Sequence, residues 1–259
     1  MIDYLEHHIV DHCNLNCGGC SHFSPLADEW YENIDDFIKD FLELSKKTSQ
    51  SIGCIRLMGG EPLLHPYFEE FLKVTRQLFP YSNIQIVTNG LLLSQKHDKL
   101  VKVCNDFDIQ VCTSNYGLKL DLNELLKDFK YTRIDNKNSL YNISLDLNGN
   151  YDAEEAFKYC DLHVNHWYYF QDGRFFPCCV AANIKFFEKY FHIFLGNEEE
   201  YPRELDDISI SIHNHSISEI QEFLDKPIQL CWFCNTIQRQ QSYQLFKISK
   251  KSIKEWIYQ

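Results

Sequence analysis

Through its first half the chain alternates short apolar runs with amphipathic stretches, and the runs stop at cysteine, glycine, asparagine or serine. Residues 8–11 read as a strand entering a cysteine loop, 54–58 as a strand stopped by Gly59-Gly60, 83–88 as a strand broken at Asn89-Gly90, and 109–113 as a strand leading to Ser114. Between them, residues 34–46 set Ile34, Phe37, Ile38, Phe41, Leu42 and Leu44 near helical spacing. Residues 67–79 and 96–107 predict two further helices, and 122–129 with 131–134 continue the alternation less regularly. Strands alternating with helices of this length form βαβ units and hence a parallel sheet, here expected to curve into a barrel. In such sheets ligands collect beyond the carboxyl ends of the strands. The cysteine loop, Gly59-Gly60-Glu61-Pro62, Asn89-Gly90 and Ser114 all fall at that rim.

The pattern changes after about residue 145. Regular alternation fades, aromatic residues crowd (His166-Trp-Tyr-Tyr-Phe), and five cysteines appear. A boundary is placed at the turn-rich Asn148-Gly149-Asn150, giving a core of residues 1–147 and a smaller module of residues 148–259 that ends in a helix.

Composition excludes several classes of function. The formal charge is −12, and the basic residues form no block beyond the short tail at 247–254, so neither nucleic acid nor an anionic membrane surface is an expected partner. The first residues lack the basic start and apolar run of a signal peptide, and no stretch reaches the roughly 18 apolar residues of a membrane span, so a cytoplasmic location is expected. Eleven cysteines in such a chain point to metal binding or catalysis and not to disulfides.

Cys13, Cys17 and Cys20 are spaced by three and then two residues. A [4Fe–4S] cube takes four thiolates, so three in one loop leave one iron open to a small chelator such as the amino and carboxylate groups of an amino acid. Gly18 and Gly19 let the backbone close around an inorganic core. Zinc is the alternative, with His12 or His22 as fourth ligand. A second set comprises Cys160, Cys178 and the pair Cys231-Trp-Phe-Cys234. Asp172-Gly173 predicts a hairpin whose second strand Pro177 stops at Cys178. Four thiols from three segments can close a full cage, of iron–sulfur or zinc, and staple a core-poor module. Cys54, Cys104 and Cys112 sit inside strand or helix patterns and read as small apolar residues, with Cys112 and Cys179 as lesser candidates for a hydrogen-atom donor.

C-x₃-C-x₂-C after a first strand, followed by Met58-Gly59-Gly60-Glu61-Pro62 after a second, resembles the radical S-adenosylmethionine (SAM) superfamily. The resemblance implies an α/β partial (β/α)6 barrel, a SAM-binding [4Fe–4S] cluster on Cys13, Cys17 and Cys20, and SAM contacts from Gly59, Gly60 and Glu61 and from Asn89 and Ser114. The position before the third cysteine, usually aromatic in that superfamily, is Gly19, which leaves Phe23 to supply the packing. Cys160, Cys178, Cys231 and Cys234, with the Gly173-x₃-Pro177-Cys178 element, resemble the Twitch/SPASM auxiliary domain, which implies a second, four-cysteine [4Fe–4S] cluster.

In barrel-plus-Twitch layout and size the chain resembles 2-deoxy-scyllo-inosamine dehydrogenases. That implies an oxidoreductase that forms a 5′-deoxyadenosyl radical, takes hydrogen from a sugar, amino-sugar or nucleotide-sugar carbon, and uses the auxiliary cluster as electron acceptor. Flavodoxin or ferredoxin would supply the first electron. A peptide-modifying maturase, a radical epimerase and a zinc-stabilised binding protein are the alternatives. Only 12 residues precede Cys13, which disfavours a fused peptide-recognition domain. Arg56, His65, Arg133, His163 and Arg174 are candidate substrate groups, each with a plain ion-pair or surface explanation.

Overall fold

The computed structural model describes residues 2–136, 140–141, 143–195, 204–236, 243–244 and 246–258. The chain divides into two compact units: residues 1–15 with 28–138, and residues 16–27 with 139–259.

The first unit is a parallel α/β sheet. Its strands are β1 (Ile2–Val10), β2 (Ile52–Gly59), β3 (Asn83–Thr88), β4 (Gln110–Asn115) and β5 (Thr132–Asn136), in the order β5-β4-β3-β2-β1. The crossovers carry α1 (Ile34–Lys47), α2 (Phe68–Leu78), α3 (Leu93–Asp106) and α4 (Leu122–Leu126). α1 starts where Asn33 Oδ1 accepts the amides of Asp35 and Asp36, with Lys46 and Lys47 in its last turn to complement the dipole. It buries Phe37, Phe41 and Leu44, while Ile38 and Leu42, expected on the same face, are exposed. At the amino-terminal rim Arg76 donates to the carbonyls of Phe107, Ser82 and Asp108, each at 2.9 Å, and so ties two turns to α2.

The two faces of this sheet differ chemically. One packs on helices: Leu5, Ile55, Leu57, Ile84, Ile86 and Val111 are fully buried, and His7 stands edge-on to Phe37 and Phe41. The other is polar. Register puts Tyr4 beside Cys54, Glu6 beside Arg56, Arg56 beside Gln85, Gln85 beside Gln110, and Cys112 beside Arg133. Arg56 on β2 reaches Asp135 on β5 at 3.7 Å. In a flat sheet those strands would lie about 14 Å apart. The sheet therefore curves, polar face inward, as a partial barrel does.

The second unit adds β6 (Leu140–Tyr141), α5 (Ala153–Lys158), α6 (Asp161–Val164), β7 (Tyr168–Gln171), β8 (Arg174–Phe176), α7 (Cys179–Phe191), β9 (Ile210–Ser211), α8 (Ile217–Leu224) and β10 (Tyr243–Gln244). β7 and β8 are the expected hairpin, with Asp172 and Gly173 both at positive φ (52° and 66°) as a two-residue primed turn requires. β9 joins β8 antiparallel, and β10 pairs with β6. The helix expected at the carboxyl terminus is a single 3₁₀ turn, Ile253–Glu255, because the preceding Lys- and Ser-rich stretch has no apolar face to bury. One large residue anchors it. Trp256 is fully buried against Phe23 and Phe191, and its indole N–H donates to the Cys20 carbonyl at 3.0 Å.

Candidate active site at the strand ends

In the first unit the ends of β1 and β2 are sewn together. The Gly60 amide donates to the Val10 carbonyl (2.9 Å) and the Glu61 amide to the His12 carbonyl (3.1 Å). Only glycine permits this approach: a Cβ on Gly59 would lie 1.9 Å from the Val10 oxygen, and one on Gly60 2.0 Å from the His12 oxygen. Gly59 also holds φ at +146°. The two glycines thus fix where the chain leaves β1, immediately before Cys13.

Glu61 braces the next strand. Its buried carboxylate accepts from Leu63 N (3.1 Å) and Thr88 Oγ1 (2.7 Å) on one oxygen and from Asn89 N (2.8 Å) on the other. Burial raises its pKa to about 7, against the pull of those three donors. A carboxyl held above its unfolded value near 4.5 stabilises the fold fully below that pH, and this contribution is lost as pH rises through 7. Between pH 5 and 8 the metal-free protein should lose roughly 2–3 kcal/mol more than its Glu61→Gln variant in urea titrations. Equal slopes in the two proteins would rule this out.

Asn89 stands at the end of β3 and uses its whole side chain. Nδ2 lies 3.6 Å from Cys13 Sγ and 2.7 Å from Asn14 Oδ1, while Oδ1 accepts from Leu91 N at 3.0 Å. The Leu15 amide also points at Cys13 Sγ (3.4 Å). Two N–H donors on one sulfur favour thiolate, the form an iron–sulfur cluster requires. Thr88 and Asn14 are members of this network that strand patterning alone did not single out. On β4, Ser114 is buried, and the buried hydroxyl of Thr113 has no hydrogen-bond partner among the described residues.

Cys17 and Cys20 belong to the second unit, where the Gly18 amide donates to the Lys247 carbonyl (2.8 Å) and the Cys20 amide to the Cys17 carbonyl (3.3 Å). Burial raises the Cys20 thiol, while the amides of Ser24, His22 and Phe23 pull it down, again an N–H-rich sulfur. Phe23 is fully buried in this unit's core against Phe187 and Trp256. His12 Nδ1 accepts from the Trp30 amide at 3.2 Å.

Three of the second cysteine set border one apolar cluster. Cys231 and Cys234 share a 3₁₀ turn, and both, with Cys178, pack at its edge. Cys160 caps α6 just beyond α5, which packs on that same turn. Cys178 is the N-cap of α7, with its sulfur accepting from Ala181 N at 3.4 Å, where the helix dipole favours thiolate. Its neighbour Cys179 is buried inside the helix. Burial raises the thiols of Cys54, on the polar face, and Cys104, in the core, to about 11 and about 12.

Three of the candidate substrate groups have structural tasks. Both nitrogens of His65 are engaged, Nε2 with the Glu32 carbonyl and Nδ1 with the Tyr67 amide, each at 3.1 Å. Arg174 ties β8 to Ser209 and Asp206. His163 stacks on Phe157 with ring centroids 3.7 Å apart. Arg56 and Arg133 remain on the polar inner face, both paired with Asp135.

Comparison with known proteins agrees with this geometry. The chain is 31% identical over 99 residues to a GTP 3',8-cyclase of Sulfurovum sp. (strain NBC37-1), covering 38% of this chain and 30% of the relative. It is 33% identical over 99 residues to that of Nautilia profundicola, covering 38% and 31%. It thus spans about a third of the length of these curated relatives. In fold it is similar to the crystal structure of BtrN in complex with AdoMet and 2-DOIA, with a TM-score of 0.53 at 18% identity, covering 91% of this chain and 93% of that one. Among the described residues no helix is long and apolar enough to cross a membrane. Residues 8–146, more than half of the chain and including the sewn strand ends, match the Radical SAM superfamily, and the chain belongs to that superfamily.

Proposed function

We propose that the chain is a radical SAM oxidoreductase for a carbohydrate or amino-sugar substrate, with its SAM cluster on Cys13, Cys17 and Cys20 and an auxiliary [4Fe–4S] cluster on Cys160, Cys178, Cys231 and Cys234. When bound, the first cluster and SAM supply a 5′-deoxyadenosyl radical able to take hydrogen from an unactivated carbon. The protein's part is placement. Gly59, Gly60 and Glu61 hold the cysteine loop and the SAM-facing turn together, with Asn89 and Ser114 on the next two strand ends. The observation that carries the reading is this lock of β1 to β2 with an amide donor on Cys13 sulfur.

The substrate class rests on the inner face of the sheet. Tyr4 OH donates to Glu6 (2.6 Å) and accepts from Arg56 (2.8 Å), Gln85 donates to Gln110 (2.8 Å), and Arg133 donates to Asp135 (2.7 Å). Two guanidiniums face two carboxylates, so the wall carries hydrogen-bonding groups without surplus positive charge. Among the described residues Arg56 Nε is buried with no hydrogen-bond partner, and we propose it as a donor for a substrate oxygen. A neutral or amine-bearing polyol suits such a wall; a triphosphate wants unpaired cations. BtrN's crystallisation with AdoMet and 2-DOIA agrees with that class. A flavodoxin or ferredoxin in the cytoplasm would supply the electron.

The test is anaerobic incubation with SAM, a reductant and either 2-DOIA or GTP, following 5′-deoxyadenosine and product mass. Loss of two hydrogens from 2-DOIA supports the reading; turnover of GTP alone replaces it with a cyclase. Removing Cys160, Cys178, Cys231 or Cys234 should lower iron from about eight to about four per chain. Unchanged iron would reject the auxiliary cluster.

A further inference from the structure

Asn89 is buried (6% exposed), stands 76 residues from Cys13 in sequence, and has both amide hydrogens assigned: one to Cys13 Sγ, one to Asn14 Oδ1. Its carbonyl is held by Leu91 N and its amide by Asn14 Oδ1, so the amide plane cannot turn away without breaking both of these bonds, while Glu61 holds the backbone. An N–H donor on a cluster thiolate draws electron density from sulfur. It stabilises the reduced cluster, which carries one more negative charge, more than the oxidised one.

We infer that Asn89 is a positioning residue whose amide sets the reduction potential of the SAM-binding cluster through Cys13, with Glu61 holding it in place. The electron would come from the external reductant, and no bond to Asn89 would be made or broken; its N–H···S bond would shift the balance toward the reduced form. The inference rests on Cys13 being a cluster ligand. That premise has its own test, since Cys13→Ala must lose the SAM-responsive electron paramagnetic resonance signal.

The experiment is a redox titration of the anaerobically reconstituted full chain, reading only the signal that changes on adding SAM, together with iron content and the Fe–S(Cys) stretching bands in the resonance Raman spectrum. Asn89→Ala should keep its iron, move the midpoint to a more negative potential and shift those bands. A tenfold smaller reduced-to-oxidised ratio at fixed ambient potential, equivalent to 59 mV for a one-electron couple, is the expected size. Asn89→Ser, which returns a shorter donor, should recover part of the shift. Asn89→Asp keeps the acceptor for Leu91 N and the side-chain shape but has no N–H, so it stands in if the alanine variant fails to assemble, and it too should move negative. A wild-type midpoint in a variant that loads iron fully, with unshifted Fe–S bands, would overturn the inference.

Discussion

Replacing Cys13, Cys17 or Cys20 by alanine is expected to abolish 5′-deoxyadenosine formation under reducing anaerobic conditions. Each change removes a direct ligand, so the loss should exceed the roughly 10–100-fold that a missing outer-shell partner costs a metal site. Folding should suffer unequally. Cys13 is half-exposed, whereas Cys17 is buried and forms a bridge with Ile248 in the second unit. Cys13→Ala is therefore the cleaner probe, losing SAM cleavage while retaining the circular dichroism of the wild type. Sustained 5′-deoxyadenosine production in all three variants would reject the cluster assignment.

Gly60→Ala is expected to destabilise the first unit through a single methyl group. The added carbon would sit 2.0 Å from the His12 oxygen, a backbone atom that no rotamer change can move aside. The ends of β1 and β2 would have to separate, breaking the hydrogen bonds from the Gly60 and Glu61 amides to the Val10 and His12 carbonyls. A loss of about 3 kcal/mol is the order of magnitude for such overpacking. Gly59→Ala adds backbone strain to a similar collision, because its φ of +146° lies outside the range of L residues. Urea titration of the metal-free protein measures both losses. SAM binding should fail in parallel, since the same strand ends carry both motifs. A Gly60→Ala protein with wild-type stability would mean that the strand ends are held by something other than this close approach.

Much of this was legible in the residues themselves. The periodicity of 34–46 and the run at 83–88 predicted α1 and β3 almost to the residue, because an apolar face must be buried whatever its partner. Asp172-Gly173 predicted the hairpin because few residues tolerate positive φ in succession. Thiol spacing and the Gly-Gly-Glu turn pointed to the chemistry, since three thiols on one loop can meet one cluster and paired glycines permit a close backbone approach. Side-chain partners were not legible. Nothing local distinguishes His65, whose two nitrogens are engaged within the fold, from Arg56, whose Nε has no partner among the described residues.

The loop that begins at Cys13 divides along the same line. By itself the sequence determined that three thiols and two glycines stand within eight residues, and that a Gly-Gly-Glu turn follows a second strand. Only the tertiary structure decided why those glycines cannot be alanine, that Phe23 belongs to the core and that Asn89 faces the sulfur of Cys13. The reason is physical. Spacing along the chain sets which atoms can meet a common metal, but a backbone collision or an N–H···S bond across 76 residues exists only once distant strands have been packed side by side.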